Sequence, residues 1–205
     1  MRSRRLSRCP GCGLSDSLCL CPALPELAPR TQLVILAHRI ELTKSTNTGR
    51  LVARMLGERA QLVQSQEELA EGALPAEHSF VLFPTEDAVP LADVASQVRT
   101  LIVPDGTWAQ CRRMARRHPR CKALRKVRLA DTPRSAYTLR RSRLQSGLCT
   151  LEAVACALQV LEPELGSAAM LQAFERWVKR ALLVRAGAHD MRQETIAALD
   201  EAGRI

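Results

Sequence analysis

Asp105 belongs to the first of two groups of residues whose types and spacing suit chemistry. It follows the apolar run Leu101–Val103 and precedes Thr107 and Trp108. The run predicts a short buried strand, the intervening proline and glycine can stop it, and Thr107 can cap a helix. We therefore expect a carboxylate where a strand gives way to a helix, at the edge where α/β folds bind ligands. The same pattern also fits an aspartate that serves only the turn.

The second group consists of four cysteines with the spacing C-x2-C-x6-C-x-C, namely Cys9, Cys12, Cys19 and Cys21. The Pro-Gly between the first two makes a tight knuckle that points two thiolates at one ion, and the other two can complete a tetrahedral set. Because protein ligands fill all four positions, we expect a structural zinc. A redox C-x-x-C pair would open a helix in a thioredoxin-like unit, which the surrounding glycines disfavour. Free thiols are the remaining alternative.

The positive charge of the chain is concentrated in one block. Residues 112–143 hold 13 Lys or Arg residues and one acid, Asp131, in a chain of net charge +9. Such a block favours a polyanionic partner, nucleic acid in particular. The alternative, a solvated charged face, usually carries mixed signs.

The composition predicts one main domain with an aliphatic core, since 46% of the 205 residues are hydrophobic and 3% are aromatic. Apolar runs are too short to span a bilayer, and no apolar signal core follows the basic N-terminus. We therefore expect a cytoplasmic protein without a membrane partner.

The elements that must position these residues alternate between strands and helices, which predicts an α/β fold with a mostly parallel sheet and flanking helices. We expect strands near 32–37, 61–65, 79–83, 101–103 and 127–129. Helices are expected near 48–57, 107–118, 148–161, 168–184 and 191–202. Residues 1–30 are predicted to form the zinc knuckle, and 31–205 the main domain, with its C-terminal helices from about 163.

Five segments in order resemble the DTW-domain family over roughly residues 9–160. They are the cysteine knuckle, the stretch 44–51, the Asp105, Thr107 and Trp108 stretch that gives the family its name, and segments 133–140 and 147–153. Cys149 stands where the family usually has serine in L-S-T-L-E-A.

The resemblance implies a fold related to the SPOUT methyltransferases, with a knotted cofactor site. It implies a tRNA-uridine aminocarboxypropyltransferase that moves the 3-amino-3-carboxypropyl group of S-adenosylmethionine to N3 of a uridine and releases methylthioadenosine. Two alternatives remain open: an S-adenosylmethionine-dependent RNA methyltransferase, and a non-catalytic zinc-containing RNA-binding protein.

With that chemistry, Asp105 is the candidate general base for the uridine N3–H. Candidate cofactor-binding residues are Pro104, Thr107, Arg134, Tyr137, Arg140, Leu148, Cys149, Thr150 and Glu152. Candidate substrate-binding residues are Lys44, Thr46, Asn47, Trp108, Arg112, Arg113, Arg116 and Arg117. Simpler roles stay open: core packing for Trp108, a favourable acid in a first helical turn for Glu152, and helix capping for Thr46 or Asn47.

Overall fold

A computed structural model of the chain describes residues 7–65, 76–139, 147–188 and 191–203. Within these ranges the strands form one six-stranded, all-parallel sheet in the order β2-β1-β5-β3-β6-β4. The strands are β1 Gln32–Ala37, β2 Ala60–Gln64, β3 Ser79–Leu82, β4 Val89–Pro90, β5 Thr100–Asp105 and β6 Arg125–Arg128. The predicted α/β fold with a mostly parallel sheet is confirmed.

The two central strands, β1 and β5, end at the same edge of the sheet, so the polar segments that follow them begin there. They run parallel in a register that places Ala37 opposite Asp105. Both strands are almost fully buried, which explains their continuous apolar sequence, since a central parallel strand is covered on both faces. The loops that follow Ala37 and Asp105 therefore leave the sheet side by side.

Helices cover both faces of the sheet. The longer ones are α2 Gly49–Leu56, α3 Trp108–Arg117, α5 Thr150–Leu161, α6 Ala168–Arg185 and α7 Gln193–Glu201, and the short ones are α1 Arg39–Leu42 and α4 Pro119–Lys122.

The two faces have separate cores. Residues of α3 and α4 pack on one face with Val34, Leu36 and Ile102, while residues of α2, α5 and α6 pack on the other with Ile35 and Val103. This division follows the two-residue period of the strands.

The N-terminal segment shares the second of these cores. Leu14, Leu18, Leu20 and Leu24 are buried together with the residues of the sheet, α5 and α6. The Trp177 indole of α6 donates from Nε1 to the carbonyl oxygen of Cys12 at 2.8 Å. The cysteine segment is therefore held by apolar packing of its leucines in the core and by a hydrogen bond to α6.

Most elements fall where the sequence predicts them, and the differences concern short pieces. The two-residue strand β4 and the one-turn helices α1 and α4 were not expected, because elements this short give no measurable periodicity. β5 runs through Pro104 to Asp105 instead of stopping at Val103.

Among the described residues, no helix is both long and apolar enough to cross a membrane.

The knot and the relation to SPOUT methyltransferases stay predictions. The connection from β6 to α5 covers residues 129–149, and its central part, 140–146, lies outside the described residues. The predicted cofactor ligand Arg140 lies in that part.

Candidate active site at the carboxyl edge of the sheet

Asp105 lies at the carboxyl end of β5 with its side chain on the face covered by α2 and α5. The residue is 4% exposed. Its Oδ2 accepts a hydrogen bond of 2.5 Å from the Asn47 amide, and its Oδ1 accepts one of 2.5 Å from the Thr150 hydroxyl. Both carboxylate oxygens are thus held by donors from two other chain segments, so the group is oriented before any ligand arrives.

Asn47 also fixes the start of α2. Its Oδ1 accepts from the backbone N–H of Arg50 at 2.9 Å, while its Nδ2 donates to Asp105. This capping of a helix N-terminus orients the amide, so that its nitrogen faces the carboxylate. Capping, the simpler role left open for Asn47, and contact with the candidate base therefore occur in one side chain.

Gly49 allows α2 to approach the carboxylate closely. A Cβ at this position would lie 2.9 Å from Ile35 Cγ2 and 3.0 Å from Asp105 Oδ2. These distances are shorter than side chains tolerate in a packed interior. The glycine that follows Thr48 in the sequence is therefore required by the site rather than by a turn.

The 133–139 segment meets the loop that carries Asn47. The Tyr137 hydroxyl donates to the carbonyl oxygen of Thr46 at 2.6 Å. The Tyr137 ring packs against Phe174 and Trp177 of α6, with centroid distances of 5.6 and 6.4 Å. The only tyrosine of the chain thus ties the 133–139 segment to the loop after β1.

Glu152 of α5 also holds the 133–139 segment in place. Its carboxylate, in a residue 4% exposed, accepts from the Ser135 hydroxyl at 2.7 Å and from the backbone N–H groups of Ala136 and Cys149 at 2.7 and 2.8 Å. Three protein donors therefore already surround the carboxylate of this candidate cofactor-binding residue. Ser135, which was not predicted, belongs to this arrangement.

Cys149 precedes the first turn of α5 in the position where the family usually has serine. Burial raises the pKa of its thiol well above the usual value, and the negative charge of Glu152 raises it further. A thiol with a raised pKa stays protonated near neutral pH and is a poor nucleophile. The substitution therefore keeps a neutral group of similar size at this position.

The remaining predicted cofactor ligands lie around this edge with different exposure. The Pro104 carbonyl accepts a 3.4 Å hydrogen bond from the Cys111 thiol, and Thr107 caps α3. Arg134 is exposed and Leu148 is half-buried.

The predicted substrate ligands fall in two places. Lys44 pairs with Glu41 at 2.6 Å, so its ammonium is neutralised by a fully buried carboxylate. Trp108 lies on the opposite face of the sheet from the Asp105 carboxylate, where its partly exposed ring packs on Phe83 at a centroid distance of 5.6 Å. The arginines of α3 are exposed on that second face: Arg112, Arg113, Arg116 and Arg117.

Gln110 and His38 connect α3 to the loop after β1, and neither was predicted from the sequence as a site residue. Thr107 and Gln110 form a capping box, with Gln110 Oε1 accepting from Thr107 N at 2.8 Å. The spacing Thr-x-x-Gln at a helix start is a readable signal of this motif. His38 follows β1, and its backbone N–H donates to the carbonyl oxygen of Asp105 at 2.8 Å.

The four predicted metal ligands come together. The sulfur atoms of Cys9, Cys12, Cys19 and Cys21 all lie within 4.8 Å of one another. Two of the pairs, Cys9 with Cys21 and Cys12 with Cys19, are 3.6 and 3.8 Å apart. Tetrahedral zinc with Zn–S bonds of about 2.3 Å requires sulfur separations of about 3.8 Å. The donor set and its geometry fit zinc.

The segment that carries the four cysteines packs closely against the loop that carries Asn47. Gly13 has a φ of +75°, and a Cβ there would meet the Ser45 carbonyl oxygen at 2.3 Å. The backbone of the cysteine segment thus lies directly against the loop after β1.

These features define an α/β protein with a candidate ligand site at the carboxyl edge of a parallel sheet and a cysteine cluster suited to a metal ion. The DTW domain family matches residues 6–182. The chain belongs to the DTW domain family.

Similar proteins have a common name. tRNA-uridine aminocarboxypropyltransferase 2 of Drosophila melanogaster is 32% identical over 176 residues, which is 78% of this chain and 70% of the fly protein. The proteins of the same name in Macaca fascicularis and Mus musculus are 28% and 30% identical over 78% of this chain and 58% of their own length. The chain thus spans little more than half of these mammalian relatives. No solved structure matches the chain significantly.

Proposed function

We propose that the chain transfers the 3-amino-3-carboxypropyl group of S-adenosylmethionine to N3 of a uridine in tRNA and releases methylthioadenosine. The observation that carries this proposal is the convergence of three family segments on one buried carboxylate, that of Asp105, through Asn47 and Thr150. The name shared by the relatives supports both the transferred group and the tRNA uridine.

Asp105 is the proposed general base. A bond forms between uridine N3 and a carbon of the cofactor, the bond from that carbon to sulfur breaks, and the N3 proton goes to the carboxylate. S-adenosylmethionine has three electrophilic carbons on its sulfonium, so the product depends on which of them faces N3. A carboxylate held by hydrogen bonds in a fixed orientation restricts the directions from which it can take the proton, which favours one alignment of the uracil.

The loops tied together beside Asp105 are the proposed cofactor site. Arg134 or Arg140 would hold the cofactor's carboxylate bidentately, and the backbone of Leu148, Cys149 and Thr150 would line the pocket at the start of α5. The contacts of Tyr137 and Glu152 support this by fixing the segment that carries Arg134. We propose a knotted, SPOUT-like path for this region.

The cysteine cluster is the proposed structural zinc site. Four thiolates at tetrahedral separations would close the ion's coordination, so zinc would stabilise the fold and take no part in the transfer. Because the cluster segment contacts Ser45 and α6, the ion would stiffen the loop that carries Asn47. Residues 1–30 would then serve as a support for the catalytic domain 31–205.

The experiment that tests the function is incubation of undermodified tRNA with S-adenosylmethionine, followed by mass spectrometry of the nucleosides and the by-product. We expect 3-(3-amino-3-carboxypropyl)uridine and methylthioadenosine in equal amounts. A methylated nucleoside with S-adenosylhomocysteine would identify a methyltransferase instead. Binding of tRNA without cofactor binding would identify a non-catalytic RNA-binding protein.

A further inference from the structure

A groove of about 380 Å³ opens beside α3, on the face of the sheet opposite to the Asp105 carboxylate. Its volume falls within the range of small-ligand sites, roughly 300–1,000 Å³. It is lined by His38, Gln110, Arg113, Met114, Arg117 and His118. We call it the α3 groove.

The hydrogen-bond donors of the α3 groove are oriented by the protein. Gln110 Oε1 accepts from the backbone N–H of Thr107, so its Nε2 faces His38 Nδ1 at 3.3 Å. The same Nδ1 accepts from the backbone N–H of Ile40 at 3.4 Å. Since Nδ1 accepts, the neutral His38 ring carries its proton on Nε2 and remains a donor there.

The charge of the α3 groove is positive. Arg113 and Arg117 are exposed and lie one turn apart on α3, so they project from the same side of the helix. Among the ion pairs between described residues, neither guanidinium has a carboxylate partner. None of the described residues that line the groove is an acid. Two guanidiniums and an imidazole donor without an acid are the chemistry that recognises a phosphate.

The α3 groove adjoins the candidate active site through the backbone. His38, which lines it, donates from its backbone N–H to the Asp105 carbonyl at 2.8 Å. His118, which also lines the groove, donates from Nε2 to the Ser65 carbonyl after β2 at 3.1 Å and so connects α3 to that strand. The site is therefore built from strand ends and α3 and is more than a row of charges on one helix.

We propose that the α3 groove binds a phosphodiester of the tRNA strand close to the modified uridine. This deepens the proposed function and rests on it. The positive groove holds the backbone on one face of the sheet, and Asp105 meets the base on the other, so the strand must cross the edge between β1 and β5.

Two double variants with the same loss of charge test the proposal. Arg113→Ala/Arg117→Ala removes the two guanidiniums of the groove. Arg112→Ala/Arg116→Ala removes two exposed guanidiniums of the same helix that do not line it. Affinity for undermodified tRNA is measured by fluorescence anisotropy at several salt concentrations. Phosphorothioate interference in the same tRNA then maps the contacted phosphates.

We expect the groove variant to lose about tenfold or more in affinity, several times the loss of its matched pair. Its dependence of log affinity on log salt should flatten by about 0.7 for each lost contact with single-stranded RNA. His38→Gln, which keeps a donor, should retain more affinity than His38→Ala. Interference signals near the target uridine should disappear in the groove variant and persist in its matched pair.

Equal losses in the two double variants, with the same interference map, would overturn the proposal. They would show that the arginines of α3 bind tRNA without a specific phosphate site in the groove. A groove that binds inorganic phosphate or uridine monophosphate, while the groove variant keeps its full tRNA affinity, would also overturn it. The proposed function fails separately, when the wild-type protein binds tRNA and cofactor but forms no product.

Discussion

The Thr150 hydroxyl donates a 2.5 Å hydrogen bond to Oδ1 of Asp105 and so joins the first turn of α5 to the end of β5, 45 positions earlier in the chain. Asn47 reaches the other carboxylate oxygen from the loop after β1. The orientation of the candidate base therefore depends on three segments that meet only in the folded protein.

Thr150→Val should lower kcat by about tenfold while leaving KM for tRNA nearly unchanged. Valine has the shape of threonine but no hydroxyl, so one oxygen of Asp105 loses its donor while Asn47 keeps the other in place. The measurement is steady-state transfer to tRNA, with the melting temperature as a check on folding. Thr150→Ser should recover most of kcat. A rise in KM alone would place Thr150 in substrate binding.

Glu152→Gln should weaken cofactor binding by about tenfold through the 133–139 segment. The carboxylate accepts from three donors, two of them backbone N–H groups, and a glutamine would turn an amide nitrogen toward at least one of them. The measurement is calorimetry with S-adenosylmethionine and with its decarboxylated form, which keeps the ammonium but lacks the carboxylate. A displaced segment would misplace Arg134, so the loss should be larger for S-adenosylmethionine, the ligand that carries the carboxylate. Equal losses for the two ligands would show that Glu152 pairs with the ammonium instead.

Replacement of Cys9 and Cys12 by serine should remove about one zinc ion per chain and lower the melting temperature by several degrees. A bound ion would hold a segment whose four leucines are buried in the main core, so its loss should affect more than the surface. The measurement is metal analysis with thermal unfolding. Cys156→Ser on α5, away from the cluster, is the matched control and should retain the ion. A fully folded wild-type protein without metal would contradict the assignment.

Glu162 should contribute stability that is lost in acid. Burial opposes its ionisation, but the backbone N–H groups of Arg30 and Thr31, each at 2.8 Å, together with the Arg30 charge, hold the pKa of the carboxyl below the ordinary value of 4.5. A lowered folded-state pKa stabilises the protein above the unfolded-state pKa, and the contribution disappears as pH falls through the folded-state pKa.

The variant Glu162→Gln should therefore be about 1–3 kcal/mol less stable than the wild type at pH 7. The difference in the free energy of unfolding should shrink as pH falls below about 4.5. Chemical denaturation at a series of pH values measures it. A difference that stays constant down to the lowest pH at which both proteins fold would contradict the role of the charge.

The fold was largely predictable because its longer elements carry strong periodicity. The alternation of apolar strands and amphipathic helices gave the parallel sheet, and β1, β3, β5, α2, α3, α5 and α6 lie within a few residues of their predicted positions. The strand order and the separation of Asp105 from Trp108 across the sheet were not predictable. They depend on long-range pairing and on which face each residue takes once Pro104 extends the strand.

The sequence named the three residues that meet at the candidate site, but it did not predict their contacts. Asp105, Asn47 and Thr150 stand in motifs far apart in the sequence, and no local pattern states that they share hydrogen bonds. Glu152 was open between two roles, because a carboxylate in a first helical turn says nothing about a loop that crosses above it. His38 was missed for the same reason, since its ring is oriented by Gln110 from a distant helix.

The central claim is that Asp105 takes the uridine N3 proton in an aminocarboxypropyl transfer, and single-turnover transfer by Asp105→Asn tests it most directly. Asparagine keeps the size of the side chain and removes the base. With saturating cofactor and undermodified tRNA, followed by nucleoside mass spectrometry, we predict a loss of product of at least a hundredfold, within the contribution of general bases, while cofactor and tRNA still bind. Product formation at the wild-type rate would contradict the account.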